Sequence, residues 1–159
     1  MCPLTPEQMA EVEKAWAANR AFQAELARKH RMETGKLEIE LERGDDDPQE
    51  HTPAYQVELE KFKRPLNEAG IRYSQRAIAF DSVDAHGYPL GEFALEFIKT
   101  VAPVVSAALV AWITAKYGRK VCVKFMDIEV QARSVEEVGR LIDKVVEVQE
   151  KRINTDQGK

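Results

Sequence analysis

The chain has 159 residues, 44% hydrophobic and 31% charged, with a formal net charge of −4 and a sequence pI near 5.5. That length suffices for one domain with its own core plus an appendage, and the acid excess argues against nucleic acid as a partner, since phosphate binding needs a basic face. Two cysteines, Cys2 and Cys122, are too few for a disulfide framework. They point to a free-thiol, cytoplasmic protein, and the opening MCPLTPEQMAEVEK lacks the basic leader and apolar run of a secretory signal.

Thr5-Pro6-Glu7-Gln8 combines an N-cap, a proline at the first helical position and a glutamine that completes a capping box. It predicts a helix running to about Met32 and closed by Gly35. Met9, Val12, Ala15, Trp16, Phe22 and Leu26 fall on one face of it. We assign residues 1–34 to this amphipathic helix as a docking or oligomerisation element, 35–152 to an α+β domain and 153–159 to a polar tail.

KLEIELE, Lys36 to Glu42, alternates strictly, as a half-buried strand requires. RGDDDPQE, from Arg43 to Glu50, is a turn or loop. Thr52-Pro53 opens a second helix whose Tyr55, Leu59, Phe62 and Leu66 share a face, with a kink or restart expected near Arg64 because of Pro65. Ile71 to Phe80 is expected as a second strand, with Tyr73, Ile78 and Phe80 facing the core. Asp81 to Gly91 (DSVDAHGYPLG) has loop composition.

A long apolar helix is expected from about Glu92 to Tyr117, capped by Gly118. Its centre, TVAPVVSAALVAWITA, is uncharged, and a basic cluster at Lys116, Arg119 and Lys120 follows it. Arg119 to Phe125 and Asp127 to Ala132 form a hairpin of alternating strands turning at Met126-Asp127. Ser134 to Glu137 is a second capping box, and Val138, Leu141, Ile142, Val145 and Val148 line the last helix. The order is a helix followed by β-α-β-α-β-β-α. It predicts an α+β fold with a four-stranded mixed sheet, a right-handed parallel crossover in the β-α-β part, and helices packed on one face.

The apolar arc of the long helix is wider than a surface helix needs. It is explained by burial between the sheet and neighbouring helices, by an interface with a partner or second copy, or by membrane association of residues 93–116. The uncharged stretch is shorter than a bilayer span, and Pro103, Glu92, Glu96 and Lys99 disfavour insertion.

Chemistry-bearing motifs are sparse. His30, His51 and His86 have no metal-ligand spacing. Asp45, Asp46, Asp47 and Glu50 lack the spacing and glycine of a calcium loop, and no phosphate-binding or nucleophile-elbow motif occurs. Asp81, Asp84 and His86 share one loop and are the residues through which a small ligand, a metal or an enzymatic reaction would act.

From Lys36 to about residue 150 the chain resembles the effector-associated constant component family of bacteria. The likeness rests on element order and on Leu109-Val-Ala-Trp112-Ile, Tyr117-Gly-Arg-Lys-Val-Cys-Val-Lys124, Asp127-Ile-Glu-Val-Gln-Ala132, Ser134-Val-Glu-Glu-Val138 and Leu141. It implies a non-enzymatic adaptor or regulatory component of a bacterial conflict system, beside a variable effector such as a protease, with no catalytic residues and no cofactor. The first helix, Thr5 to Met32, lies outside the likeness, and a protein partner or self-association is expected through its Trp16, Phe22 and Leu26 together with Val104, Trp112, Lys116, Arg119 and Lys120.

Overall fold

The computed structural model describes residues 5–78 and 88–158. It is an α+β fold of four helices and a five-stranded antiparallel sheet. The elements are α1 (Pro6–Thr34), β1 (Lys36–Glu42), α2 (Pro53–Glu68), β2 (Tyr73–Ile78), β3 (Tyr88–Glu96), a 3-10 turn at Lys99–Val101, α3 (Ala102–Ala115), β4 (Lys120–Phe125), β5 (Ile128–Ala132) and α4 (Val135–Gln157). The strand order is β2-β3-β1-β4-β5, and every neighbouring pair is antiparallel.

This corrects the expected four-stranded mixed sheet with its parallel crossover. The extra strand is β3, which lies between β2 and β1 and occupies sequence assigned to the loop at 81–91 and to the start of the long helix. Its pattern is period two. Gly91, Phe93, Leu95 and Phe97 are buried, while Glu92, Ala94 and Glu96 lie on the other side. Phe93 and Phe97, four residues apart, share a face in a strand and in a helix alike, so the aromatic spacing is compatible with both. What separates them is the partner: Phe93 pairs with Ile39 and Leu95 with Leu37.

Several local expectations hold. The Thr5 hydroxyl accepts from the Gln8 N–H and the Gln8 side chain accepts from Thr5 N–H, closing the capping box, and Gly35 ends α1 at φ 63°. Tyr55, Leu59, Phe62 and Leu66 are buried on α2, which continues through Pro65 to Glu68 without a restart. At the start of α4 the Ser134 hydroxyl accepts from Glu137 N–H. The Glu137 carboxylate reaches back to the Arg133 N–H instead of its own cap residue, so the second box is closed one residue early. α4 extends to Gln157, making most of the expected polar tail its last turns. Ile78, at the end of edge strand β2, is exposed rather than in the core. Phe80 lies outside the described residues.

The core lies between the sheet and a layer made by α2, α3 and α4. From the sheet, Leu37, Ile39, Leu41, Phe93, Leu95, Val121, Val123 and Phe125 are buried. Phe93 packs against Phe62 at 5.1 Å between centroids, and Phe97 meets Phe125 edge-on at 5.8 Å. α3 touches both α2 and α4, which accounts for its wide apolar arc. Val105, Ala108, Leu109, Trp112 and Ile113 are buried, and solvent meets Pro103, Ala107, Ala111 and Thr114. The 93–116 segment is thus strand, turn and a 14-residue helix, and among the described residues no helix is long and apolar enough to cross a membrane.

Candidate interaction surface

The other face of the sheet is polar. Glu38, Glu40 and Glu42 of β1, Ser74 and Arg76 of β2, Glu92 and Ala94 of β3, Cys122 and Lys124 of β4, and Glu129 and Gln131 of β5 line it, since alternation sends every second side chain there. Charge is balanced across strands. Arg76 pairs with Glu92 at 3.1 Å, Lys124 lies 3.8 Å from Glu40 and 3.9 Å from Glu129, and Gln131 donates to Glu42 at 2.8 Å.

The C-terminal turns of α1 stand over this face. Ala24, Ala27 and Arg31 form one wall of a cleft of about 520 Å³ whose floor includes Glu38, Ala94 and Cys122. Arg31 is the anchor. Its guanidinium bonds the Glu38 carboxylate at 3.1 Å and the Met126 carbonyl at 3.5 Å, and Arg152 donates to the Glu33 carbonyl. Arg31 is also the one α1 residue of intermediate burial, and α1 buries none fully. A helix of 29 residues, about 44 Å long at 1.5 Å per residue, thus touches its own domain at one end.

Its apolar stripe is open. Met9, Val12, Trp16, Phe22 and Leu26 are all exposed, Trp16 at 67% and Phe22 at 60%. The stripe lies about a quarter turn round the helix from the face that Ala24, Ala27 and Arg31 turn to the sheet. The aromatic pair presents large apolar area at low conformational cost, the property that makes Trp and Phe frequent anchors of protein interfaces.

The basic cluster after α3 lies elsewhere and splits in two. Arg119, 2% exposed, is sealed into an ion network. It grips Asp47 with two bonds of 2.7 and 2.6 Å, holds Glu58 at 2.9 Å and donates to the Trp112 carbonyl at 3.4 Å. Its guanidinium also stacks on the Trp112 ring at 3.9 Å. Asp47 accepts from the Gly44 N–H at 2.8 Å, and Lys116 approaches it at 3.4 Å. Burial alone would raise the Asp47 carboxyl, but the Arg119, Gly44 and Lys116 donors outweigh it and hold the group at about 2. Gly44 is required here, because a Cβ would come within 2.3 Å of the Tyr117 carbonyl.

Of the residues expected at a partner surface, Trp112 and Arg119 are therefore buried, a correction with a clear cause: the loop carrying Asp47 folds back onto the α3–β4 junction and neutralises the cation there. Val104 is half-buried against the core, and Lys116 and Lys120 are partly exposed. Trp16, Phe22 and Leu26 remain on the open stripe. Asp81, Asp84 and His86 lie outside the described residues. His30 and His51 are exposed, Asp47 of the acidic loop is taken up by Arg119, and no group of three or more metal-ligating side chains occurs among the described residues.

The wall-and-floor cleft escaped sequence reasoning. Ala24, Ala27 and Arg31 at i, i+3 and i+7 form a second helical face, but small residues carry no periodicity signal strong enough to show it.

Cys122 lies on the cleft floor with its thiol 3.4 Å from the Glu129 carboxylate. Burial first, and Glu129 second, push the thiol up to about 11. In a Cys2→Ser background, Cys122 should react with iodoacetamide at pH 8 at least tenfold more slowly than in urea, since a pKa raised by two units lowers the thiolate fraction accordingly. Equal rates in the two states would contradict this placement.

Comparison with protein-family models, with curated proteins and with solved structures gives no match.

Proposed function

We propose that this protein is a non-enzymatic protein–protein interaction module, acting in the cytoplasm as the adaptor or regulatory component of a bacterial conflict system that its family resemblance implies. The observation that carries the reading is the exposed stripe of α1. In globular proteins an amphipathic helix draws most of its stability from packing its apolar face, yet α1 packs none of its own. The rest of the chain supplies a rigid platform, with Arg31 clamping the helix to the sheet.

The test is the size of the protein in host extract. Fluorescence-detected sedimentation of the tagged full chain should show a complex, and a Trp16→Glu/Phe22→Glu variant with an unchanged circular dichroism spectrum should sediment as an 18.0 kDa chain plus its tag. A wild type that already sediments as a lone chain, or a complex indifferent to the double substitution, would overturn the reading.

A further inference from the structure

We infer that the occupant of the α1 stripe is a second copy of this chain, with the two helices paired antiparallel about Asn19. The inference deepens the interaction-module reading and rests on it.

Three independent features of α1 favour this occupant. The first is spacing. Val12, Ala15, Asn19, Phe22 and Leu26 step by three and four residues, the seam of a two-stranded helical pair. The second is symmetry. Asn19 stands midway along that seam, so a two-fold axis at Asn19 sets Val12 against the second copy's Leu26, and Ala15 beside its Phe22. A large side chain then meets a small one on each side of the axis, and the two asparagine amides face each other, each offering the donor and acceptor the other needs. A polar residue at one seam position is the device that fixes register in such pairs.

The third feature is charge. The first half of α1 carries Glu7, Glu11 and Glu13 against a single Lys14, and the second half carries Arg20, Arg28, Lys29 and Arg31 against Glu25 and Glu33. A parallel pair would set acid beside acid and base beside base. An antiparallel pair sets Glu11 beside the second copy's Lys29 on one flank of the seam, an attraction that the two-fold repeats on the other side of the axis. The geometry leaves room for it, because the stripe lies a quarter turn from the side that faces the sheet and α1 is held at its C-terminal end.

The experiment uses the purified full chain. Sedimentation at tens of micromolar should give twice the 18.0 kDa chain mass, and Trp16→Glu/Phe22→Glu should return the single mass while the urea midpoint of the core is unchanged. Orientation is read by disulfide trapping in a Cys2→Ser background. Val12→Cys mixed with Leu26→Cys should cross-link under oxidation, and neither variant should do so alone. A monomeric wild type, a dimer that survives the double substitution, or cross-links formed by each variant alone would overturn the inference. A purified monomer that still forms a stripe-dependent complex in host extract would sink the second copy and leave the interaction module standing. Loss of association in both settings would sink both.

Discussion

Replacing Asp47 by alanine should lower the unfolding free energy by about 3–5 kcal/mol, the cost of leaving one partner of a buried ion pair uncompensated. The Arg119 guanidinium is enclosed by Trp112, Asp47 and Glu58, so without Asp47 it keeps only the partly buried Glu58 and the Trp112 carbonyl. The substitution also frees the Gly44 N–H, unpinning the loop that approaches Tyr117. Urea unfolding at pH 7 measures the loss, and a change below 1 kcal/mol would contradict the network. Adding Arg119→Met to Asp47→Ala should recover part of the stability, since a buried ion pair replaced by apolar groups is often close to neutral.

The same network predicts an acid dependence. Asp47 is held at about 2, below the usual value near 3.9. A carboxyl depressed in the folded state contributes its full stabilisation above the unfolded value and loses it as pH falls through the folded one. Wild-type stability should therefore fall between about pH 4 and pH 2 through this group. Asp47→Ala should be flatter over that window, and parallel curves for the two proteins would contradict the assignment.

Leu109→Ala should cost about 2–5 kcal/mol, the range for emptying a fully buried leucine site. Leu109 is 0% exposed on the helix wedged between α2 and α4, whose flanks limit how far the cavity can collapse. Ala111, a little over half a turn away and open to solvent, should accept glutamate with a change within about 0.5 kcal/mol. This contrast separates a core helix from an interfacial or membrane-facing one. If α3 served as an outer surface, Leu109→Ala would be mild and Ala111→Glu would disrupt association or folding instead.

The elements with strong local chemistry were legible in the sequence. α1 is bounded by a complete capping box and a left-handed glycine, β1 by strict alternation, and the β4–β5 hairpin by two alternating runs around Met126-Asp127. These signals depend on neighbours a few residues apart, so composition and period are sufficient. β3 was hidden because aromatic residues four apart satisfy helix and strand equally, and only pairing with β1 chooses between them. Its insertion turns the sheet from mixed to antiparallel.

The candidate surface divides in the same way. That Trp16, Phe22 and Leu26 share a face, and that charge reverses along α1, follows from the sequence by helical geometry alone. Whether such a stripe is buried depends on what lies beside it after folding, and the three-dimensional arrangement decided oppositely for the two apolar helices. α3 is enclosed because α2 and α4 flank it and β4 lies against it. α1 stays uncovered because Arg31 and Glu38 fix only its end to the sheet, and among the described residues none buries its stripe. Likewise, Arg119 and Lys116 are alike as basic residues in sequence, but a loop some seventy positions earlier carries Asp47 to one of them and seals it inside. The sequence determined α1, β1, the β4–β5 hairpin and the faces of the helices; β3, and which faces meet solvent, were decided by long-range pairing, because burial is a property of the neighbour and not of the residue.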